Sequence, residues 1–477
     1  MMSGGKSPPE YSSNKVHRMC LTATLGSFLF GYNVGVVNST LEVVASVLEW
    51  GDYEEILTAV VGGAMPFGAM ISSLFAGKFS NRAGARKTLM VSNLITLVGT
   101  VITVIPYTLT FAFGRFLSGL SVGVYAALVP LYINETSPTQ MSGQMGILAQ
   151  AQITFGIVVA YGLALVLPTE NYKSDPLTYW WMVMFGLQGV IAVWQFIVLL
   201  WFYKLETPLW LWNKGLKEDA LESLKQVYTE ESAYKALSRM EAAQKYERGL
   251  NSPLVSEKTY DPFYSELLLC KQNAGKLMRL GYSSNFFQQF SGINAILTFS
   301  TVIFAQLGGG VFTSRVYTLI LGVLNMVPGL ATGSLVDRFG RKLILVLGCL
   351  GMAACHFMSG FFAGPLSDSS IVFPLTCILA YIFFFSISIG PICWLYCGEI
   401  LTPRAMSICT SVNWLCKTVV LFSFTPLKNS LGMPAVFWIY SGVCVLGFLY
   451  FILDMVENKG LTKQEIQKLL VGESKIE

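Results

Sequence analysis

The chain has 477 residues, of which 53% are hydrophobic and only 13% charged, with a mean hydropathy of +0.56. Soluble domains carry roughly a quarter charged residues, so a water-soluble enzyme is excluded and a protein that crosses a bilayer many times is expected. The net charge of +4 says little about partners; no nucleic-acid partner is expected.

In chain order, residues 1–18 read as a short polar tail without a cleavable signal pattern. Apolar segments follow at roughly 19–41, 56–76, 88–106, 109–133, 143–167 and 179–203. They resume at roughly 279–306, 313–335, 343–363, 371–398, 404–427 and 433–455. Each is about the twenty residues that a helix needs to cross ~30 Å of hydrocarbon. The expected fold is therefore all-α, with about twelve transmembrane helices in two six-helix halves, 19–203 and 279–456. Between them, 204–278 is dense in charges of both signs, and Leu216, Ala220, Leu224 and Tyr228 recur at helical spacing. Short amphipathic helices are expected there, and 457–477 reads as a second tail.

Basic residues crowd two short loops, with Lys78, Arg82, Arg86 and Lys87 in one and Arg338, Arg341 and Lys342 in the other. The loop after the first segment instead holds Glu42, Glu49, Asp52, Glu54 and Glu55. The positive-inside rule then puts both tails and the 204–278 stretch in the cytoplasm. The two basic loops share a pattern, and Arg82 and Arg338 lie 256 positions apart. A second repeat has a closely similar offset: Glu135 and Glu399 each follow an aromatic by three residues at a helix end and precede a proline. A parallel internal repeat is the plan of a two-halved transporter. The loop arginines are the natural partners of these two carboxylates, and such pairs could lock one face of the molecule.

Within the apolar segments the costliest run is Gln288-Gln289-Phe290-Ser291-Gly292-Ile293-Asn294. Hydrocarbon tolerates amides only where they face other helices or a wet cavity. On one continuous helix, Gln288 and Asn294 would be separated by about 600° of rotation and Gln289 and Asn294 by about 500°, a broad sector. An amide offers both a donor and an acceptor, which suits a neutral polyhydroxyl ligand; polar glue between helices is the alternative. The ten cysteines show no metal spacing, and no phosphate-binding glycine loop or nucleophile elbow occurs, so no cofactor, metal or enzymatic activity is expected.

Several stretches carry a resemblance over nearly the whole chain. They are Phe30-Gly31-Tyr32-Asn33, Asn81-Arg82, Gly114-Arg115-Phe116, Pro130 to Pro138, Glu206-Thr207-Pro208, Gln288 to Ala295, Asp337-Arg338, Gly390-Pro391-Ile392-Cys393-Trp394 and Glu457-Asn458-Lys459-Gly460. In that order and spacing the sequence resembles the sugar porter family of the major facilitator superfamily, in particular the facilitative glucose transporters. The resemblance implies a hexose site between the halves, with Gln150, Gln288, Gln289, Asn294, Asn325, Trp394 and Asn413 at the sugar contacts. It implies a gating ion-pair set of Arg82, Glu135, Glu206, Arg338, Glu399, Arg404 and Glu457, and an outer gate at Thr298. Proton-coupled members have an aspartate at the position of Asn33. An amide there cannot titrate, so Arg115 lacks an anionic partner and facilitated diffusion is expected rather than symport. A sugar symporter and a non-transporting sugar sensor are the competing readings.

Other positions depart from the family pattern. Ser142, Leu209 and Ala85 replace basic residues, so the ion-pair network should be thinner in the first half. Ser386 replaces a glutamate, Thr298 a tyrosine and Lys417 an amide, which opens the sugar preference to hexoses beyond glucose, fructose among them. The partners expected are a hexose and the bilayer, in the plasma membrane; nothing in the sequence speaks to oligomeric state.

Overall fold

The computed structural model describes residues 11–138, 141–170, 172, 174–250, 275–308, 310–364, 372–401, 403–461 and 466. The first half comprises α1 (Ser13–Val47), α2 (Glu54–Ala83), α3 (Ala85–Thr103), α4 (Thr108–Thr136), α5 (Ser142–Leu163) and α6 (Trp180–Trp201). Three shorter helices follow: α7 (Pro208–Asn213), α8 (Lys217–Lys225) and α9 (Glu230–Leu250). The second half comprises α10 (Gly275–Phe290), α11 (Ile293–Gln306), α12 (Val311–Phe339), α13 (Arg341–Phe362), α14 (Val372–Ile387), α15 (Ile389–Ile400), α16 (Pro403–Leu431) and α17 (Met433–Leu453). No β-strand occurs among the described residues, only an isolated bridge between Tyr11 and Tyr228 that ties the start of α1 to the chain after α8.

The apolar patterning decides this architecture. Ten spans among the described residues are long and apolar enough to cross a bilayer. The less apolar α3 and the α10–α11 pair supply the other two passes, which gives an all-α, twelve-pass membrane protein. Its helices keep every backbone bond internal, as hydrocarbon demands. Across the halves, α2 packs on α16 and α5 on α12, while α1 meets α11. Under the internal repeat α2 corresponds to α12 and α5 to α16, so the first two contacts exchange under a two-fold axis.

Two passes are broken. Ser291–Gly292 separates α10 from α11, with Gly292 left-handed at φ +92°. Ser388, at φ −124° and ψ −107°, separates α14 from α15. The single helices drawn through 279–306 and 371–398 are therefore corrected to two helices each. The first break is satisfied locally: the Ser291 hydroxyl donates to the Gln288 carbonyl at 2.7 Å, and the His356 Nε2 lies 2.9 Å from the Ser291 carbonyl oxygen.

Close helix contact in the first half depends on glycine. A Cβ on Gly31 would lie 1.7 Å from the Ile153 carbonyl oxygen, and one on Gly156 would lie 2.3 Å from that of Phe28. The backbones of α1 and α5 therefore touch, and over-packing cannot be relieved by a rotamer change. Gly31→Leu is expected to leave no monodisperse protein on size-exclusion chromatography. Gly62→Ala, where a Cβ meets nothing within 4 Å, should elute as the parent chain does. A Gly31→Leu protein that eluted normally would show that these helices can part.

Candidate functional site

Between the halves lies a cavity of about 820 Å³, within the ~300–1,000 Å³ usual for small-molecule sites. Gln150 from α5, Asn325 from α12 and Trp394 from α15 line it, together with Phe30, Thr154 and Ser386. It extends to Lys78, Arg82, Asn134 and Glu399, and so reaches the end of the bundle that carries the basic loops.

The other four expected sugar contacts do not line this cavity; they are buried and hydrogen-bonded to one another. Gln289 Nε2 donates to Asn413 Oδ1 at 2.7 Å, and Asn413 Nδ2 donates to Gln288 Oε1 at 2.7 Å and to Asn285 Oδ1 at 2.8 Å. Asn294 Nδ2 donates to Gln289 Oε1. The 500° rotation assumed a continuous helix; the left-handed turn at Gly292 instead folds Asn294 back onto Gln289. Gln288 Nε2 donates to the carbonyls of Gly390 at 2.7 Å and Ile389 at 3.3 Å. One side chain thus links the break between α10 and α11 to the break between α14 and α15. Buried amides with partners cost little, whereas each orphaned group costs roughly 1–3 kcal/mol.

Asn325 Oδ1 accepts from the Ser386 hydroxyl at 2.9 Å. Arg115 Nη1 donates to Asn33 Oδ1 at 2.9 Å and Nη2 to the Asn33 carbonyl at 3.1 Å. The guanidinium that lacks a carboxylate partner is held instead by a neutral amide, with the Phe185 ring 5.7 Å away.

The end opposite the basic loops is closed by bonds that sequence reasoning missed. Asn38 Nδ2 on α1 donates to the Leu297 carbonyl at 2.7 Å and to the Ser300 hydroxyl at 2.6 Å, and Asn38 Oδ1 accepts from the Thr301 amide at 3.2 Å. The Tyr161 hydroxyl donates to the Leu297 carbonyl at 2.6 Å. Arg315 donates to the carbonyls of Leu167 and Pro168 at 2.5 and 3.0 Å. Thr298, buried between Leu297 and Phe299, stands inside this seal, where Phe299 stacks on Phe424 at 4.9 Å. Its neighbours do the closing. The available signal was Asn38 itself, an amide inside an apolar helix.

At the loop end the two halves differ. Glu399 receives Arg341 Nη2 at 2.6 Å and Nε at 3.3 Å, and Asn458 Nδ2 at 2.7 Å. Ala85 occupies the repeat position of Arg341, and among the described residues no arginine forms an ion pair with Glu135. The pairing expected for Glu135 is thus corrected: its counterpart arginine is missing from α3. Arg82 and Arg338 are exposed and cross to no carboxylate among the described residues; Arg338 lies over the Phe339 ring at 5.2 Å.

Glu206 and Glu457 do not act through arginine side chains, as the gating set had implied. Glu206 accepts the backbone amides of Arg86 and Lys87, both at 2.9 Å, and Glu457 accepts those of Arg341 at 3.0 Å and Lys342 at 2.9 Å. Each carboxylate caps the start of a helix after a glycine of positive φ, +97° at Gly84 and +84° at Gly340. Burial pushes the Glu206 carboxyl up from its ordinary range, and the two amides pull it back. The side chains of Arg404 and Ser142 lie outside the described residues.

The sequence profile of the family described as sugar (and other) transporter matches residues 19–470. The chain belongs to that family. Among similar proteins, Hexose transporter 1 of Plasmodium knowlesi is 29% identical, with 92% of this chain and 90% of that one covered. The facilitated trehalose transporter Tret1 of Drosophila yakuba is 31% identical over 86% of this chain, which spans only 46% of its length. In structure, the chain is similar to the proton:xylose symporter XylE bound to 6-bromo-6-deoxy-D-glucose, with a TM-score of 0.80 at 25% identity, covering 96% of this chain and 100% of that one. The partially occluded inward-open xylose transporter XylE from E. coli gives a TM-score of 0.79 at 24% identity, covering 94% and 100%. This family member is a multi-pass membrane protein with the major facilitator fold, and not an enzyme.

Proposed function

We propose that the chain is a facilitative hexose transporter that moves sugar down its gradient by alternating access. The observation that carries this reading is the amide-lined cavity between the halves, sealed at one end by Asn38 and open at the other. A hexose entering it sheds water from several hydroxyls, at roughly 2 kcal/mol or more for each one left unpaired. Gln150 and Asn325 offer replacement partners from two halves, and the Trp394 ring can cover an apolar face. Gln288, Gln289, Asn294 and Asn413 exchange their mutual bonds for sugar hydroxyls as α11 swings over the ligand. That exchange keeps affinity modest, as release requires.

The uniport reading rests on Asn33, since Arg115 is hydrogen-bonded to an amide that does not titrate. Glucose is the substrate proposed, with fructose as a further candidate because Ser386 carries no charge at the cavity. The basic loops and both tails are assigned to the cytoplasm and the chain to the plasma membrane, which makes the described state inward-facing. Counterflow of labelled glucose in proteoliposomes tests the reading. The rate should stay within about twofold with or without a pH gradient; collapse on adding an uncoupler at clamped voltage would establish symport instead, as would glucose-driven alkalinisation outside the vesicles.

A further inference from the structure

The charged side chains buried almost wholly among the described residues are Arg86, Arg115, Arg315, Lys417 and a single acid, Glu206. Glu206 sits at the loop end as the cap of α3. Arg86 reaches the Leu199 carbonyl at 3.0 Å, Arg115 reaches Asn33, and Arg315 reaches two carbonyls. Lys417 alone among these cations has no hydrogen bond or ion pair to a described residue, although it is only 4% exposed. Its Nζ lies instead 4.9 Å from the centroid of the Trp414 ring and 5.9 Å from that of Phe30.

Two aromatic rings are worth about 2 kcal/mol each to a desolvated ammonium, against a desolvation cost of several kcal/mol for the ion. An anion drawn against Lys417 would offset the part of that cost which the rings leave uncompensated. Lys417, one helical turn beyond Asn413 on α16, does not itself line the cavity, but Phe30 belongs both to its aromatic cage and to the cavity wall, so an anion reaching it would enter past that ring. The cavity wall contributes amides and hydroxyls from Gln150, Thr154, Asn325 and Ser386. An occupant suited to both parts carries several hydroxyls and one negative charge.

We propose that the cavity accepts an anionic sugar of the hexuronate class, with its carboxylate paired to Lys417 and its hydroxyls on the amides. The proposal rests on the transport reading above and names a substrate class for the same site. A neutral hexose leaves Lys417 with its rings alone, so the two sugars differ both in affinity and in the charge they carry across the bilayer.

Proteoliposomes loaded in parallel with D-glucose or D-glucuronate test this with radiolabelled forms of both. Glucuronate should be taken up and should compete with labelled glucose. An imposed inside-positive potential of about 100 mV should raise glucuronate accumulation about 50-fold and leave glucose unmoved. Lys417→Met should lower the glucuronate-to-glucose uptake ratio at least tenfold, and Lys417→Arg, which keeps the charge, should preserve it. Glucose transport with no competition by glucuronate overturns the proposal and leaves the hexose reading standing, as does an unchanged ratio in Lys417→Met. Glucose uptake that requires chloride, with glucuronate inert, also overturns it by making a free anion the counterion. If neither sugar is transported, quenching of tryptophan fluorescence in the purified chain by glucuronate but not glucose would support the carboxylate site and overturn the transport reading; no quenching overturns both.

Discussion

Gln288→Ala should lower hexose uptake by at least about 30-fold while the protein still reaches the membrane and elutes as a single species. The side chain does three things at once. It donates to the Gly390 and Ile389 carbonyls at the second helix break, and it accepts from Asn413 at 2.7 Å. Alanine leaves those groups buried without their partner, at roughly 1–3 kcal/mol for each one orphaned. A loss of about 2 kcal/mol in the loaded state corresponds to about 30-fold. The matched control is Gln188→Leu on α6, where neither amide atom has a partner among the described residues and the residue is fully buried. Removing an already unsatisfied amide should cost nothing in uptake. Uptake by Gln288→Ala at the parent rate would remove the amide network from the sugar path.

Asn38→Ala should shift the molecule away from the closed arrangement of α1 and α11. Three hydrogen bonds cross between these helices at Asn38, to Leu297, Ser300 and Thr301. At about 1 kcal/mol net each, their loss changes the ratio of the two states by up to about 150-fold. Spin labels at Ile56 and Leu431, both exposed at the sealed end, should report a longer distance population that is minor in the parent chain. Ser39→Ala, whose hydroxyl reaches Thr301 only at 3.4 Å, should shift it far less. An unchanged distance distribution in Asn38→Ala would assign the seal to Arg315 and Tyr161 instead.

Much of the architecture was legible in the sequence because it depends on neighbours along the chain. The length and hydropathy of each segment, the recurrence of the basic loops and the neutrality of Asn33 are local properties, and the family resemblance rests on them. The helix breaks were less legible. Gly292 stands at the first and Ser388 at the second, yet apolar composition continues around each, so periodicity alone runs a single helix across. The roles of Glu206 and Glu457 were hidden for a different reason: an acid near a basic loop suggests an ion pair, whereas the positive φ at Gly84 and Gly340 turns backbone amides toward it. Glu135 shows the converse, since its missing partner could be inferred from Ala85.

By itself the sequence determined that the chain must cross a bilayer about twelve times, that it is built twice over, and that its amides and cations must find partners there. Those conclusions rest on the cost of exposing polar groups to hydrocarbon, which composition measures directly. Only the tertiary structure decided which partners they find. Asn38 meets residues some 260 positions away, Gln288 meets carbonyls about 100 away, and Lys417 meets rings rather than a carboxylate. Such choices follow from how two six-helix bodies close on each other, a geometry to which the local pattern of a helix is indifferent.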